Sequence, residues 1–582
     1  MNSLKTLNKY FLRYKTKLML GMLFILCSNA AQVYIPILLK DSIDSLQKDI
    51  SYDQILNYSL LIVAVALIGG VFRFLIRTTI IVVSRRIEFD LRSDFWDHIQ
   101  TLPTRFFQNN STGNLMAHAT NDISAVRMYI GPAVMYSVDT VSKFIIVIVI
   151  MLSLNPMLTL YTLIPLPLLS FFVYLLSKKI HVKFTKIQEK FSEITTKAQE
   201  SFSGIRVIKS YVREDGEIKH FTDLSKEYLE RNMDKVKVQA LFMPMLFLIT
   251  GVSVIIVIWV GGTMVIDGEL TLGEIVAFIA YLSLLIWPVI AFGWVINIIQ
   301  QAAASMKRLL KIFAEVDDVK DNNGTNKNVS EINGEIEFKN MSFRYNPESA
   351  DILKNISFNV RRGETLAIVG HTGSGKSSLI NLIPRLFDVT SGKLLIDGIN
   401  VKEIPKNILR KSIGIVSQET FLFSDTLKNN IVYGIDNETD YNIDRVSEIS
   451  QLKKDIESFK DGYETILGER GITLSGGQKQ RASLARALAI NPKILILDDS
   501  FSAVDTNTEE EILKQLKHFM DGRTSILISH RISTVKNADN IIVLDNGEIV
   551  EQGNHFELVE QNGIYADLHQ KQLLEEELKE LE

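Results

Sequence analysis

Apolar residues form long runs in the first half of the chain and alternate with polar residues in the second half. A helix needs about 20 apolar residues to cross a bilayer. Segments that reach or approach this length lie at 18–39, 56–83, 131–154, 157–176, 240–266 and 274–300. Beyond residue 330, short apolar runs alternate with helical patterns, which is typical of a mixed α/β domain. The pattern therefore predicts six transmembrane helices followed by a globular domain.

Two connections between the spans are long, and their charges predict the orientation of the bundle. The connection at 177–239 carries fourteen Lys and Arg residues and the one at 84–130 carries five, whereas the 267–273 turn carries none. Because positive residues favour the cytoplasmic side, we expect a multi-pass protein of the cytoplasmic (inner) membrane with both termini and the globular domain in the cytoplasm. Helical periodicity in the long connections predicts that the spans continue into the cytosol.

Composition narrows the class of protein and its partners. The chain has 582 residues, 47% hydrophobic and 22% charged, with a formal net charge of −4. A net charge of this sign gives no reason to expect nucleic acid as a partner. The single cysteine, Cys27, excludes an intrachain disulfide framework. A polar, Asn-rich stretch marks a boundary, so we predict a transmembrane domain at 1–318, a linker at 319–334 and a second domain at 335–582.

The second domain contains the sequence GHTGSGKSS, which has the pattern G-x-x-x-x-G-K-S. It follows the apolar β run 365–369 and precedes an apolar helical segment, the context in which backbone N–H groups turn towards phosphate oxygens. Lys376 is predicted to reach the β- and γ-phosphates of ATP, and Ser377 to bind Mg²⁺. The predicted nucleotide-binding residues of this loop are Gly370, His371, Thr372, Gly373, Ser374, Gly375, Lys376, Ser377 and Ser378.

Two further patterns point to the same chemistry. The sequence ILILDD at 494–499 is a buried strand with carboxylates at its C-terminal end, where parallel sheets bind ligands. Asp498 fits the role of a Mg²⁺ partner that acts through water. The sequence LSGGQKQR at 474–481 places a serine and two glycines before a helix, which is a second arrangement suited to anions.

Phosphate loop, LSGGQ and apolar strand with Asp occur here in the order found in the nucleotide-binding domain of ATP-binding cassette (ABC) proteins, and the chain resembles that family over essentially its whole length. The resemblance also covers 502–505, which matches the loop that contacts the partner domain, and 468–471, which is similar to an element specific to exporters. In the membrane half, 111–123 and 203–215 resemble the loops that dock on the motor domains.

The resemblance implies roles for further residues. Gln418 is expected to take part in Mg²⁺ binding and catalysis, His530 to act as the catalytic switch, and Tyr345 to stack on adenine. The family geometry implies that two motor domains dimerise head to tail. The ATP held by one phosphate loop then meets the signature residues of the other domain, here Ser475, Gly476, Gly477 and Gln478.

The fold implied by the family is a six-span α-helical membrane domain of the type I/type IV ABC exporter fold, joined to an α/β P-loop NTPase domain. The function implied is ATP-driven export of a hydrophobic or amphipathic substrate, a drug or a lipid, by a half-transporter embedded in the lipid bilayer. Its partner is expected to be a second half-transporter, and its cofactors ATP and Mg²⁺. An ATP-gated channel is a further possibility that nothing in the sequence favours.

One residue departs from the family pattern. The family has a catalytic glutamate after the strand aspartate, and here Asp499 stands in its place. Its carboxylate falls about 1.5 Å short, and a misplacement of about 1 Å can cost about a hundredfold in rate. Heterodimeric exporters resemble this chain more closely, so we expect a different chain as partner, with the weakened site here. Two alternatives remain: a homodimer that hydrolyses ATP with Asp499, and a mainly regulatory nucleotide-binding subunit.

Charged residues within the spans form another candidate cluster. Arg73 and Asp139 lie about 25 Å and about 24 Å from the external ends of their helices, by the rise of an α-helix. Charges inside a membrane usually face the bundle interior. The two residues therefore either interact across the bundle, or share a polar layer with Arg77 and Lys143. The alternative is that each snorkels to the headgroups and Asp139 pairs with Lys143 one turn away.

Overall fold

The computed structural model describes residues 2–47, 52–321, 324–326, 328–435, 442–468, 471 and 473–581. The chain divides into two compact units. The N-terminal unit comprises Met1–Gln100 and Thr112–Glu315, and the C-terminal unit comprises Thr101–Ser111 and Val316–Glu582. The domain boundaries expected from the sequence, at 318 and 335, remain a proposal. The segment 468–471 falls partly on Glu469 and Arg470, which lie outside the described residues.

The described residues up to Phe313 are almost entirely helical. Its α-helices are α1 (Asn8–Arg13), α2 (Lys15–Leu46), α3 (Tyr52–Ile76), α4 (Val82–Thr101), α5 (Thr104–Asn109), α6 (Thr112–Ala117), α7 (Ile123–Met128), α8 (Val134–Leu154), α9 (Pro156–Leu163), α10 (Pro165–Ser203), α11 (Ile205–Ser210), α12 (Glu214–Ala240), α13 (Phe242–Ile266) and α14 (Leu272–Phe313). Short π-helical turns at Arg77–Ile81, His118–Asp122 and Tyr129–Ala133 link several of them without breaking the helical path.

Within the residues that the structure describes, six helical runs are long and apolar enough to cross a membrane. They are Lys15–Leu46, Tyr52–Thr101, Thr112–Leu154, Pro156–Ser203, Glu214–Ile266 and Leu272–Phe313. Each contains one predicted span, so the predicted six-helix architecture is confirmed. The fourth and fifth runs also carry most of the basic 177–239 connection as helix, because the polar stretches keep a helical period beyond the apolar segment.

Polar contacts tie the ends of α2 and α14 together. Thr271 caps α14 in a capping box with Glu274. Asp44 of α2 accepts hydrogen bonds of 2.8 Å from both the Thr271 hydroxyl and the Gly273 N–H. A side chain at Gly273 would collide with the carbonyl oxygen of Lys40, so glycine is required where the two helices meet. The carboxylate therefore satisfies donors at a helix N-terminus that would otherwise lack partners.

The C-terminal unit is built on two sheets. A four-stranded antiparallel sheet has the order β2-β1-β4-β5, and a six-stranded sheet has the order β10-β9-β3-β8-β7-β6. The second sheet is parallel except for its edge pair β10/β9. The strands are β1 (Ile336–Phe343), β2 (Leu353–Val360), β3 (Thr365–Val369), β4 (Ser391–Ile396), β5 (Ile399–Asn400), β6 (Ile413–Val416), β7 (Ile494–Asp498), β8 (Thr524–Ile528), β9 (Asn540–Asp545) and β10 (Glu548–Gly553).

Ten further α-helices belong to the C-terminal unit as the structure describes it. They are α15 (Lys376–Leu382), α16 (Lys406–Lys411), α17 (Leu427–Ile431), α18 (Ile443–Ile449), α19 (Lys453–Ser458), α20 (Gly476–Ala489), α21 (Thr506–Met520), α22 (Ile532–Val535), α23 (His555–Glu560) and α24 (Ile564–Leu581). Along β7, Ile494 and Ile496 enter one hydrophobic core while Leu495 and Leu497 enter another. Burial on both faces explains why this strand is continuously apolar in the sequence.

The Asp44 contacts lead to a prediction about stability. Replacing Asp44 with Ala leaves the Gly273 N–H and the Thr271 hydroxyl without their acceptor, at a cost of about 1–3 kcal/mol. We therefore expect a lower midpoint of thermal unfolding for Asp44→Ala in lipid nanodiscs. Asp41→Ala is the matched control, because the Asp41 side chain is 43% exposed and makes only a 3.7 Å ion pair with Lys40. Equal effects of the two substitutions would contradict this role of Asp44.

Candidate functional site

The phosphate loop leaves β3 and enters α15 through three glycines in unusual backbone conformations. Gly370, Gly373 and Gly375 have φ values of 147°, 84° and 102°, in the region that L side chains rarely adopt. A side chain at Gly370 would also collide with the carbonyl of Leu544, and one at Gly375 would lie 2.8 Å from Leu353. The loop therefore has no room for side chains at these positions and its backbone is free to adopt positive φ values. A loop whose N–H groups surround a phosphate requires both properties.

Lys376 is held above this loop, and it forms no ion pair within the described part of the chain. Its side-chain nitrogen Nζ donates to the carbonyl oxygens of Gly370 and His371, both at 2.8 Å, and the residue is 7% exposed. Burial lowers the pKa of this amine. The hydroxyl of Ser374 is also buried, and it has no hydrogen-bond partner among the described residues. A buried cation and a free hydroxyl beside a glycine loop fit the phosphates of a nucleotide.

Asp498 ends β7 beside the same loop. It is 5% exposed, and burial raises the pKa of its carboxyl group. A hydrogen bond from Ser377 and the charge of Lys376 oppose that rise. Serine and carboxylate oxygens are ligands that Mg²⁺ accepts alongside nucleotide phosphates. The residues present therefore fit a Mg²⁺–nucleotide complex, in which Ser377 and Asp498 would hold the metal.

Asp499 and Gln418 meet next to this pair. Asp499 has a left-handed backbone (φ 47°) and its N–H donates to the carbonyl of Ile528 at 2.9 Å. The distance from Gln418 Nε2 to Asp499 Oδ2 is 3.5 Å, which is long for a hydrogen bond. His530 is exposed, and among the described residues its imidazole makes no hydrogen bond. The Asp499 carboxylate is thus present where the family glutamate is expected, loosely held by Gln418.

Tyr345 lies against the helix that follows the loop. Its hydroxyl is 3.0 Å from the Ser378 hydroxyl, and its ring packs edge-on against Phe343 and Phe387, with centroids 4.9 Å and 5.1 Å away. The ring is only partly buried, which leaves part of its surface available to a ligand. Stacking on adenine remains a prediction.

The signature residues form a separate local structure. Ser475 caps α20 in a capping box with Gln478, whose amide also donates to Asp455 at 2.9 Å. A side chain at Gly477 would come within 2.9 Å of the Ala503 carbonyl. In the described part of the chain, no hydrogen bond or ion pair joins 475–478 to 370–378. The structure thus brings the loop and the strand carboxylates together, but not the signature.

Three residues that hold the signature helix or the segment around Arg531 in place were not predicted from the sequence. Asp455 accepts hydrogen bonds from both Gln478 and Arg481, which fixes the start of the signature helix. Gln480 links that helix to the next loop, through 2.9 Å hydrogen bonds with the Ser502 hydroxyl and the Ala503 N–H. Gln572 of α24 bonds to the backbone on both sides of Arg531. Gln480 lies within LSGGQKQR and could have been noticed, whereas no local pattern marks the other two.

A buried cation in a glycine loop, next to a buried carboxylate at the end of a parallel strand, defines a nucleotide-binding domain of the P-loop class. The same chain carries six helices that can span a membrane. A nucleotide-driven membrane protein is therefore the class that fold and site define.

Comparison with known proteins supplies the family. Residues 18–289 match the ABC transporter transmembrane region, and 353–502 match the ABC transporter ATP-binding model. The chain is 36% identical to the multidrug resistance-like ATP-binding protein MdlA of Escherichia coli (strain K12), over 90% of this chain and 88% of that protein. It is 33% identical to the ATP-dependent lipid A-core flippase of Syntrophus aciditrophicus (strain SB), over 100% and 96%.

A solved structure is similar over nearly the whole length. A bacterial Atm1-family ABC exporter with ATP bound superposes with a TM-score of 0.78 and 26% sequence identity, over 96% of this chain and 98% of that one. The chain belongs to the ABC transporter family, as an exporter with fused membrane and ATP-binding parts. It is a membrane protein that binds and hydrolyses ATP, and exporters of this family act as dimers.

The position of Lys376 leads to a test of the ATP site. Lys376→Ala removes the buried cation beside the loop, so we expect ATP affinity at this site to fall by about tenfold or more. Binding of a fluorescent ATP analogue to the purified protein measures the change. Lys517→Ala, which removes an exposed lysine from α21, is the matched control. Unchanged ATP affinity in the Lys376 variant would show that the phosphate loop is not part of the ATP site.

Proposed function

We propose that this chain is one half of a heterodimeric exporter, which uses ATP to move a hydrophobic or amphipathic substrate, a drug or a lipid, out of the cytoplasmic membrane. The observation that carries the heterodimer is Asp499, a shorter carboxylate at the position of the family's catalytic glutamate, 3.5 Å from Gln418 Nε2. The names of the relatives, a multidrug resistance-like protein and a lipid A-core flippase, support both substrate classes.

In this proposal the residues of the ATP site have separate tasks. Lys376 binds the β- and γ-phosphates, and Tyr345 stacks on the adenine. Ser377, Asp498 and Gln418 hold Mg²⁺, the ion that neutralises phosphate charge during transfer. His530 contacts the γ-phosphate once the dimer has closed. Supporting this division are the buried ammonium of Lys376, the hydrogen bond from Ser377 to Asp498 and the exposed imidazole of His530.

The signature residues Ser475, Gly476, Gly477 and Gln478 complete the ATP site of the partner. Within the described part of this chain they make no hydrogen bond or ion pair with the chain's own phosphate loop. Ser475 presents its hydroxyl at the N-terminus of α20, a helix of 14 residues, where a phosphate would be favoured. Both termini and the ATP-binding unit lie in the cytoplasm, as the fourteen basic residues of 177–239 indicate.

Asp499 variants test the weakened site. We expect the purified chain without a partner to hydrolyse ATP slowly, and Asp499→Asn to change that rate little. In the assembled exporter, with the partner's phosphate-loop lysine replaced by alanine, Asp499→Glu should raise turnover at this chain's site by up to about a hundredfold, because the longer side chain returns the carboxylate to the family position. The measurement is steady-state ATP turnover in nanodiscs, with Lys376→Ala as the baseline and Asp521→Asn, on an exposed aspartate, as the matched control.

The homodimer is the competing function, favoured by the fact that Asp499 still offers a carboxylate beside Gln418. Brisk turnover by the chain alone, abolished by Asp499→Asn, would establish the homodimer and overturn the heterodimer.

Ser475→Ala tests the exchange of signatures between the two halves. In the assembled exporter we expect it to slow hydrolysis at the partner's ATP site more than at this chain's own site. Turnover is measured twice, with one phosphate-loop lysine replaced by alanine each time, so that each site is read separately. Equal slowing of the two sites would exclude the head-to-tail arrangement.

A further inference from the structure

The N-terminal unit encloses a cavity of about 390 Å³ between α2, α3, α8 and α14. Arg73 and Asp139, which the sequence placed at one membrane depth, both line it, together with Arg77 and Lys143. Three of these side chains are cationic and one is anionic, so the cavity carries an excess of positive charge. An excess of this kind within a membrane-spanning bundle is costly unless something neutralises it.

The single carboxylate is already neutralised. Lys143 lies one turn beyond Asp139 on α8, and its Nζ donates to Asp139 Oδ2 at 3.3 Å. The Lys143 side chain is 8% exposed, so the pair is shielded from water. Asn29 of α2 donates to the Asp139 backbone carbonyl at 3.1 Å, which holds the two helices together at this level. Asp139 therefore pairs with Lys143 and not with Arg73.

The two arginines remain without a counter-charge. Arg73 and Arg77 are one helical turn apart on the second span and therefore share a face. Both side chains are exposed, and neither guanidinium has a hydrogen-bond or ion-pair partner among the described residues. A π-helical turn, Arg77–Ile81, begins at the second of them, a feature that is frequent at functional sites. The cavity thus presents two unmatched guanidinium groups, side by side.

The rest of the cavity wall is both polar and apolar. Trp287 and Tyr136 contribute aromatic surface, and Tyr136 packs edge-on against Trp294 with ring centroids 5.3 Å apart. Ser28 and Gln32, joined by a 3.1 Å hydrogen bond, add polar groups. Guanidinium pairs match the planar oxygens of phosphate or carboxylate, and the aromatic wall matches a hydrocarbon chain.

We propose that this cavity binds the anionic head of an amphipath, a phosphate or carboxylate group on an apolar chain, with Arg73 and Arg77 as the residues that select its charge. The proposal rests on the proposed export function and adds the charge class of the substrate. A cationic amphipath would be repelled by both arginines and a neutral one would offer them no counter-charge, so both would be bound less well.

Binding can be measured without ATP in nanodiscs of zwitterionic lipid that contain the assembled full-length exporter. The probes share a dodecyl chain and differ in the head: dodecyl phosphate, dodecylphosphocholine and dodecyltrimethylammonium. Trp287 fluorescence reports binding, with Trp287→Phe as the optical blank. We expect dodecyl phosphate to bind most tightly, and Arg73→Gln or Arg77→Gln to weaken it by about tenfold. Arg73→Lys keeps the charge but loses the planar guanidinium, so it should retain the preference for the anionic head with only part of the affinity.

Control variants make the result decisive. Lys17→Gln removes a cation from the same unit, at an exposed position outside the cavity, and should change nothing. Equal affinity for the three probes, or undiminished phosphate binding in both arginine variants, would overturn the proposal. Weaker assembly of the two halves in those variants, with anion binding intact, would also overturn it, because the arginines would then pair with carboxylates of the partner.

The anion can come from the bilayer or from solution. Adding phosphatidylglycerol to the nanodiscs should weaken dodecyl phosphate binding in the parent, but not in Arg73→Gln, if the ligand is a bilayer lipid. If phosphatidylglycerol leaves the affinity of the parent for dodecyl phosphate unchanged, the ligand is a free amphipath. Competition and its absence both support an anionic ligand. Because ATP is absent, failure of the proposed export leaves this readout intact. Conversely, if anion selectivity is absent but ATP turnover is normal, the anion-binding proposal fails and the proposed export function does not.

Discussion

Positive charge that has no ion-pair partner among the described residues is the feature on which both sites of this chain depend. Removing an ion from water costs several kcal/mol unless a partner compensates, and backbone carbonyls compensate only in part. In the C-terminal unit the buried ammonium of Lys376 rests on two carbonyl oxygens. In the N-terminal unit Arg73 and Arg77 have no partner among the described residues. Each site is therefore suited to an anion that the chain itself does not supply.

The two units satisfy their backbone groups in different ways. Inside a bilayer every N–H and C=O must find a partner within the protein, so spanning segments are helical. Six helical runs meet this condition, and several extend well beyond the apolar stretch. In the C-terminal unit a parallel sheet pairs its backbone between strands, and its carboxyl edge brings the phosphate loop to Asp498 and Asp499. Both units thus pair their backbone N–H and C=O groups, the membrane unit within helices and the ATP-binding unit between the strands of a sheet.

Features that depend on a short stretch of chain could be predicted from the sequence. The glycines at 370, 373 and 375 have positive φ values because the loop itself requires them, so the motif alone was enough to predict the site. The contacts of Asp455 and Gln572 could not be predicted, since each joins segments far apart in sequence with no local signal. Other predictions came from the resemblance to the family and not from a local motif. The importance of an aspartate at position 499 is the main example.

The membrane charges separate what sequence determined from what tertiary structure decided. Because an α-helix rises by a fixed distance per residue, counting along the chain was enough to place Arg73 and Asp139 at one depth. Counting cannot give the rotation of each helix about its axis, which depends on how α2, α3, α8 and α14 pack. That packing made all four charges line one cavity, while Asp139 paired with Lys143 on its own helix. Sequence thus determined the number of spans and was enough to predict the ATP loop and the depth of the charges; helix packing decided which of these charges have no partner among the described residues.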